Sequence, residues 1–260
     1  MGYLDNNGVA YLYSKIKEYI AVQKPYSIAV GNGEPYSVWK GTYAEYCAIT
    51  PDESTIYIIT TPPYDAEIEY LENSTGKEAI DTGIYGTNTT QVSFETMFFN
   101  TEVPDYTGGD AFGSGVVEYG KTQNVLGITY NREQDNLYSF LGKNYKVIQG
   151  LNLLTGIKHT ITYSSKGTWV NGVKRQNGWY NNSFQTPYTI AAMTMRTVSG
   201  IFGGSRKARL YNFSISDNGI LVRDFIPVRV GNVGYLFDKV SMKLFGNAGT
   251  GSFILGADKN

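Results

Sequence analysis

Apolar and polar residues alternate in the segment RLYNFSIS, residues 209–216, near the end of the chain. Tyr211, Phe213 and Ile215 are separated by the polar residues Asn212 and Ser214. A period of two is typical of a β-strand with one buried face, so these three apolar side chains are predicted to point into a core.

A second strand is predicted immediately after this one. The apolar run that opens at Ile220 is separated from the first strand by Asp217-Asn218-Gly219. Asn-Gly tolerates the positive φ angles of a two-residue hairpin turn, so the segment is predicted to be strand, tight turn, strand. Pro227 has no N–H, and it is therefore predicted to end the second strand or to lie at a sheet edge.

The same signals recur through residues 64–260. Asn171-Gly172 predicts another hairpin, and the short runs YLFD and KLFG, separated by 239–242, predict a third. Other predicted strands are Ile68–Leu71, Ala79–Thr82, Gln91–Phe99, Gly115–Tyr119, Val125–Tyr130, Asn136–Leu141, Lys158–Tyr163, Thr168–Val170 and Tyr188–Met195. Closely spaced strands without intervening helical segments favour two packed antiparallel sheets, so the region is predicted to be a β-sandwich.

The pattern changes at the front of the chain, where residues 4–22 have the period of an amphipathic helix. Val9, Leu12, Ile16 and Tyr19 follow a 3-4-3 spacing, and Pro25 ends the pattern. About two heptads are too few for a stable isolated coiled coil. The helix is predicted either to associate with copies of itself or a larger assembly, or to pack locally.

A small α/β module is predicted within residues 25–63, after a linker with one short strand at Ser27–Val30. Thr42 and Glu45 form a capping-box pair, which predicts a short helix over Tyr43–Ile49. A strand follows at Thr55–Thr60, and two adjacent prolines at 62–63 then mark a boundary. The predicted parts are therefore a helix in 1–24, the linker and module in 25–63, and the β-sandwich in 64–260.

These segments carry two resemblances to known families. The order RLYNFSI, DNGILVRDFIPVR, GYLFDKVSMKLFGNAGTGSF, together with YLENSTGKEAIDTGI from Tyr70, resembles laminin-G-like, concanavalin A-like jelly-roll domains. The opening YLDNNGVAYLYSKIK and the module WKGTYAEY with TIYII resemble segments of phage tail-fibre and receptor-binding structural proteins.

The resemblance implies a non-enzymatic virion protein, a tail-fibre or receptor-binding subunit whose jelly roll attaches to a host surface, in particular to a glycan. It implies a homotrimer that contacts other tail proteins, is assembled in the host cytoplasm and is released by lysis. Three alternatives stay open: a carbohydrate-binding module of a bacterial surface protein, a glycoside hydrolase, and a purely structural role without any ligand.

Composition narrows the choice of partner. The chain has 22 Lys and Arg against 23 Asp and Glu, so it lacks the basic footprint of a nucleic-acid-binding protein. No apolar run is long enough to predict membrane insertion. The single cysteine, Cys47, excludes an internal disulfide and is predicted to be a small buried residue.

Few residues have the pattern that catalysis or metal binding requires. Glu67 and Glu69 share one strand face, as the two acids of a retaining hydrolase would, yet the pattern favours an ordinary solvated strand face over a catalytic pair. A single histidine, His159, rules out a multi-histidine metal site and argues against a Ser-His-acid triad. Asp105 and Asp110 match no calcium loop. The protein is predicted to have no catalytic residues, metal or cofactor.

Sugar binding needs an exposed aromatic ring beside amide or carboxylate groups, and one polar loop has this chemistry. It contains Trp179, Tyr180, Asn181 and Asn182, which form the predicted glycan or receptor site. In the alternative, Trp179 folds back to cap a sheet edge.

Overall fold

We describe the protein from a computed structural model, which describes residues 28–29, 35–42, 45, 48–50, 55–59, 61–99, 108–118, 121–131, 135–153, 156–179, 183–196 and 207–259. The chain divides into two compact units, Met1–Pro63 and Tyr64–Asn260. The predicted helix over residues 4–22, with Val9, Leu12, Ile16 and Tyr19, lies outside the described residues and stays a prediction, as does the burial of Cys47.

The first unit contains a three-stranded sheet with the order β1-β2-β3. Its strands are β1 Ile28–Ala29, β2 Pro35–Gly41 and β3 Thr55–Ile59. β2 and β3 are parallel, with Ser37 opposite Thr55.

The predicted capping box is present after β2. The backbone N–H of Thr42 donates to Glu45 Oε2 at 2.7 Å, and the backbone N–H of Glu45 donates to Thr42 Oγ1 at 3.2 Å. The bond from the Thr42 backbone, followed by that from its hydroxyl, lowers the pKa of Glu45. Residues 43–44 and 46–47 of the predicted helix lie outside the described residues.

The second unit consists of two large sheets, and the predicted β-sandwich is confirmed. Its strands are β4 Ala66–Glu67, β5 Leu71–Glu72, β6 Ile80–Thr87, β7 Thr90–Phe98, β8 Gly108–Glu118, β9 Lys121–Asn131, β10 Asn136–Gly142, β11 Asn144–Ile148, β12 His159–Ser164, β13 Gly167–Val170, β14 Val173–Asn177, β15 Gln185–Ala192, β16 Met195–Arg196, β17 Ala208–Asp217, β18 Ile220–Val230, β19 Val233–Asp238, β20 Lys243–Phe245 and β21 Ile254–Leu255. The smaller sheet has the order β11-β10-β9-β8-β15-β6, with β16 beside β8. The larger sheet has the order β14-β13-β12-β7-β17-β18-β19-β20, and β4, β5 and β21 extend it.

Both predicted Asn-Gly hairpins are confirmed by their backbone angles. Asn218 and Gly219 join β17 to β18 with φ angles of 48° and 79°, and Asn171 and Gly172 join β13 to β14 with φ angles of 51° and 76°. Positive φ at both central residues is the geometry that matches the twist of paired strands.

The prediction for Pro227 is wrong, because β18 continues past it to Val230. Pairing with β17 ends at Phe225, and beyond that point β18 pairs with β4. The carbonyl of Pro227 accepts a hydrogen bond from Ile68 N at 3.0 Å. The N–H and C=O of a strand residue point to the same side, so the side on which Pro227 lacks an N–H is the side where β4 replaces β17 as the partner of β18. The pairing of β18 with β19 on the other side is intact.

The core lies between the two large sheets, and Phe112 is its central side chain. Phe112 belongs to β8 of the smaller sheet and is fully buried. Its ring centroid lies 5.4 Å from that of Phe94, 5.9 Å from that of Phe213 and 5.7 Å from that of Tyr163. These three residues come from β7, β17 and β12 of the larger sheet, so one aromatic cluster joins the sheets.

We predict that Phe112→Ala lowers the free energy of unfolding of the full chain by about 3–5 kcal/mol, because it removes the ring that the two sheets share. The control is Tyr85→Ala, since the Tyr85 side chain is 48% exposed. That substitution should cost less than about 1 kcal/mol. Urea unfolding followed by tryptophan fluorescence measures both, and equal losses would contradict the central role of Phe112.

Candidate functional site

Alternation along β7 and β17 gives the larger sheet an outer face of polar side chains. In β7 the residues of one parity are buried, while the intervening residues face outward. Three outward-facing pairs lie opposite each other across the two strands: Glu95 and Asn212, Ser93 and Ser214, Gln91 and Ser216. A set of short hydroxyl and amide groups therefore covers the middle of this face.

A β-bulge interrupts the alternation and places Tyr211 on the outer face. Leu210 pairs with Thr96 and Asn212 pairs with the adjacent Glu95, so Tyr211 is the extra residue in β17. Leu210 is buried, whereas Tyr211 is half-buried and lines an open groove. The prediction that Tyr211 points into the core is wrong, because the bulge redirects its side chain.

The groove beside Tyr211 has a volume of about 630 Å³. We call it the Tyr211 groove, and define it by its lining residues Glu69, Glu95, Lys158, Tyr211, Asn212, Phe213, Ser214, Asp224, Ile226, Lys239 and Lys259. The lining contains three carboxylates and three lysines, so its formal charge is zero. A groove of this kind does not favour a highly charged ligand of either sign.

Hydrogen bonds hold Glu95 in a fixed position. Its Oε2 accepts from Asn212 Nδ2 at 2.8 Å and from Lys158 Nζ at 3.2 Å, and its backbone N–H donates to Asn212 Oδ1 at 3.1 Å. Both side-chain partners bond to Oε2, which leaves Oε1 to accept a hydrogen bond from a ligand. Glu95 is therefore an acceptor that is oriented before any ligand arrives.

Asp224 has a similar arrangement at another part of the groove. Its Oδ2 lies 2.7 Å from Lys239 Nζ, and its carbonyl accepts from the backbone N–H of Lys239 at 2.9 Å. In each of the two ion pairs of the groove, the lysine neutralises the carboxylate, and both groups keep atoms that can hydrogen-bond a ligand.

The Tyr211 ring is held on several sides. Lys158 Nζ lies 5.1 Å from its centroid, the Tyr70 ring lies 5.7 Å away in an edge-on arrangement, and the Tyr211 hydroxyl contacts Met97 Sδ at 3.9 Å. Lys158 is long and its side chain is 48% exposed, so its ammonium group is accessible to a ligand that approaches the ring. The ring then forms an apolar wall among polar groups.

The two acids that the sequence singles out for hydrolysis have different surroundings. Glu69 is exposed and lines the Tyr211 groove, whereas Glu67 Oε1 accepts a hydrogen bond from Tyr64 OH at 3.2 Å. Burial, followed by the charge of Glu67, raises the pKa of Tyr64 to about 12. Of the pair, only Glu69 belongs to the groove lining, and the absence of catalysis stays a prediction.

Trp179, the described member of the predicted glycan site, packs half-buried against the core. Its backbone N–H donates to Ser165 O at 2.8 Å. Lys146 Nζ lies 4.8 Å from the indole centroid and donates to Asn177 O at 3.2 Å and Gly178 O at 2.9 Å. This geometry favours the alternative in which Trp179 caps a sheet edge, since its ring packs against the core.

The rest of that predicted site cannot be placed beside Trp179, because Tyr180, Asn181 and Asn182 lie outside the described residues. The site as a whole stays a prediction.

A hydrogen-bond network anchors β14, the strand before this loop. The buried Gln176 accepts a hydrogen bond from Thr168 Oγ1 at 3.0 Å and another from Ser139 Oγ.

His159 lies in the core-facing row of β12 and is 7% exposed. Its Nδ1 pairs with Asn171 Nδ2 at 3.1 Å, while its buried Nε2 has no hydrogen-bond partner among the residues that the structure describes. Burial lowers the pKa of His159 below its ordinary value, and the charge of Asp135 opposes this effect only in part. A neutral, enclosed imidazole suits a structural role.

Metal-binding side chains do not converge within the described part of the chain. Among these residues no three His, Cys, Asp or Glu side chains are grouped so that they could hold an ion. Asp105 and the side chain of Asp110, which the sequence offers as oxygen ligands, lie outside what the structure describes. Across the same described residues, no helix is long and apolar enough to cross a bilayer.

We predict that acid destabilises the protein through His159. The unfolded chain binds a proton near the ordinary histidine pKa of 6.5, whereas the folded chain binds it only at lower pH. The free energy of unfolding should therefore fall as the pH is lowered from about 7.5 to about 5.5. His159 is the single histidine of the chain, so the effect can be assigned to it.

Urea unfolding at both pH values measures this change, and His159→Gln serves as the comparison because glutamine does not titrate. The variant should show a clearly smaller change than the wild-type chain. An equal pH dependence in the two proteins would exclude His159 as the cause.

Most groove residues are missed by the sequence prediction, which instead selects an aromatic loop. Asn212 and Ser214 are correctly predicted to alternate with buried residues, and this was the available signal. The missing information is the partner strand: only pairing shows that Asn212 lies opposite Glu95 and that Lys158 reaches both Glu95 and the Tyr211 ring.

Comparison with known proteins gives little beyond this geometry. No family model matches the sequence, and no curated protein matches it significantly. Among solved structures, the chain is similar to a "putative carbohydrate binding protein" from Bacteroides ovatus ATCC 8483, with a TM-score of 0.49 and 12% sequence identity. The match covers 81% of this chain and 66% of that one, and a likeness this distant carries no argument about function.

Proposed function

We propose that residues 64–260 form a non-enzymatic carbohydrate-binding module, and that the Tyr211 groove is its binding site. The observation that carries the proposal is the groove itself: an open cavity of about 630 Å³ on the outer face of a rigid sheet. It combines one tyrosine ring with fixed acceptors and donors and has no formal charge.

Each part of this lining matches a feature of a sugar. Sugar hydroxyls both donate and accept, so they need carboxylate or amide oxygens beside ammonium or amide N–H groups, as Glu95, Asn212 and Lys158 offer. The apolar face of a pyranose ring needs an aromatic or aliphatic surface, which Tyr211 and Ile226 provide. A neutral polyhydroxylated ligand uses all of these groups without leaving a charge unpaired.

Rigidity supports the same proposal. Glu95, Asn212 and Ser214 project from strands, and Glu95 and Asn212 hold each other by hydrogen bonds, so these side chains lose little freedom when a ligand binds. Because a preformed site loses little conformational entropy on binding, the modest interaction energy of a single aromatic contact is enough to contribute to affinity.

We predict that Tyr211→Ala weakens glycan binding by about tenfold or more, the equivalent of about 1.4 kcal/mol. A glycan array with the full chain identifies the best ligand, and isothermal titration calorimetry then measures Kd. Trp179→Ala is the matched control, because it also removes an aromatic ring but from the core edge. It should reduce thermal stability and leave Kd nearly unchanged.

Three outcomes would contradict the proposal. Loss of binding in Trp179→Ala with normal binding in Tyr211→Ala would place the site in the loop of residues 179–182. Failure of the wild-type chain to bind any glycan would remove the proposed function. Recovery of shortened sugar after incubation would contradict its non-enzymatic part.

On the resemblance of the front segments alone, we propose a more specific role for the protein, which we call the fibre setting: a phage tail-fibre or receptor-binding subunit that binds a glycan on the host surface. In this setting Val9, Leu12, Ile16 and Tyr19 form a face that associates with other copies. A protein with this role in a virion would form a stable oligomer, for which a homotrimer is the first expectation.

We predict that the full chain elutes as a homotrimer and that Leu12→Lys combined with Ile16→Lys converts it to a monomer of about 28.8 kDa. Charged residues on the associating face oppose its burial. Light scattering after size exclusion measures the mass, and Lys15→Ala combined with Lys17→Ala is the control on polar helix positions. A monomeric wild-type chain would contradict the fibre setting without affecting the glycan site.

A further inference from the structure

A second polar cavity lies at one end of the same sheet face. It has a volume of about 440 Å³ and is lined by three turns, at residues 88–89, 165–166 and 218–219, together with Gln91 and Ser216. We call it the turn cavity. Its lining consists of hydroxyl, amide and lysine side chains and a glycine.

One wall of the turn cavity is held by a shared acceptor. Asp217 Oδ1 accepts from Thr87 Oγ1 at 2.9 Å, from Thr89 Oγ1 at 2.8 Å and from Thr90 Oγ1 at 3.2 Å. These bonds tie the turn between β6 and β7 to the end of β17. The cavity is therefore a formed part of the fold, like the Tyr211 groove.

The two cavities lie on the same pair of strands. Glu95 and Asn212 line the Tyr211 groove, whereas Gln91 and Ser216, four residues further along each strand, line the turn cavity. Both pairs lie in register on the outer face. At about 3.4 Å per residue, roughly 14 Å of strand separates the two pairs.

Short hydroxyl side chains cover the distance between them. Ser93 and Ser214 form the intermediate pair, and Thr162 on β12 lies beside them, with its Oγ1 3.0 Å from Ser93 Oγ. Ser214 Oγ donates to Ser93 O at 3.2 Å. These side chains are too short to separate the cavities, and each carries a group that can hydrogen-bond a sugar hydroxyl.

We infer that the Tyr211 groove and the turn cavity are the two ends of one elongated site, which binds a linear oligosaccharide of several sugar units along β7 and β17. This inference rests on the proposed function and specifies its substrate class: an extended chain, and not a single terminal sugar. The Tyr211 groove holds one end of the chain and Gln91 and Lys166 contact the other.

The test is a length series, from disaccharide to octasaccharide, of the linear glycan that gives the highest array signal. Titration calorimetry with the full wild-type chain should show affinity that rises with length by about tenfold or more and then levels off once both cavities are filled. This measurement needs no variant, so it does not depend on the folding of one.

The second arm is the double variant Gln91→Ala with Lys166→Ala, which removes contacts of the turn cavity and leaves the Tyr211 groove intact. The double variant should bind the shortest oligosaccharide that the wild-type chain binds with the wild-type affinity. It should bind the longest oligosaccharide no more tightly than this short one. The matched control, Lys143→Ala with Gln185→Ala, alters exposed positions elsewhere and should behave as wild type.

Three results overturn the elongated site while the Tyr211 groove keeps its function: wild-type affinity that does not depend on length, unchanged long-chain affinity in the double variant, or an equal loss at every length. Absence of binding to any glycan overturns this inference together with the proposed function.

Discussion

The pairing of β7 with β17 is the constraint on which both the core and the groove depend. Successive strand residues point to opposite faces, so one register determines what is buried and what is exposed. With Phe94 opposite Phe213 on the inner side, both rings pack on Phe112 of the other sheet. The same register then places Glu95 opposite Asn212 on the outer side. A shift by one residue would exchange the two sets, which the aromatic core does not allow.

The bulge at Tyr211 solves a conflict within this pairing. Counted forward from the buried Leu210, strict alternation would place Asn212 inside, and counted back from the buried Phe213 it would place Tyr211 inside. Burying an amide without partners costs a few kcal/mol, and the bulge avoids this cost by keeping both residues on the outer face. Beyond the bulge, Phe213 and Ile215 return to the core. A groove lined by an aromatic ring and an amide is thus a product of one inserted residue.

Much of the sandwich could be predicted because its signals are local. The Asn-Gly pairs at 171–172 and 218–219 need positive φ at two successive residues, and few structures other than a tight hairpin provide it. The reciprocal hydrogen bonds of Thr42 and Glu45 are local in the same way. Pro227 was misplaced because its environment is not local: the exchange of β17 for β4 beside β18 involves residues far apart in sequence. Strand β11 was missed by the sequence prediction: the apolar side chains of Tyr145 and Val147 in its segment NYKVI are exposed, so their pattern does not mark a face buried in the core.

The candidate site was harder to predict than the fold, and the two aromatic residues show why. Trp179 stands in a polar loop and Tyr211 in an alternating strand, so composition favours the tryptophan as the exposed ring. Exposure, however, depends on what surrounds a side chain in space. Trp179 packs on the core and has Lys146 over its ring, whereas Tyr211 lies on a bulge and lines an open groove. Groove residues such as Lys158, which precedes β12, and Asp224 of β18 lie far apart in sequence, and each alone resembles an ordinary surface charge. The proposed binding of a neutral, hydroxyl-rich ligand depends on the cancellation of charges within this lining, because a groove with a net charge would favour ions of the opposite sign.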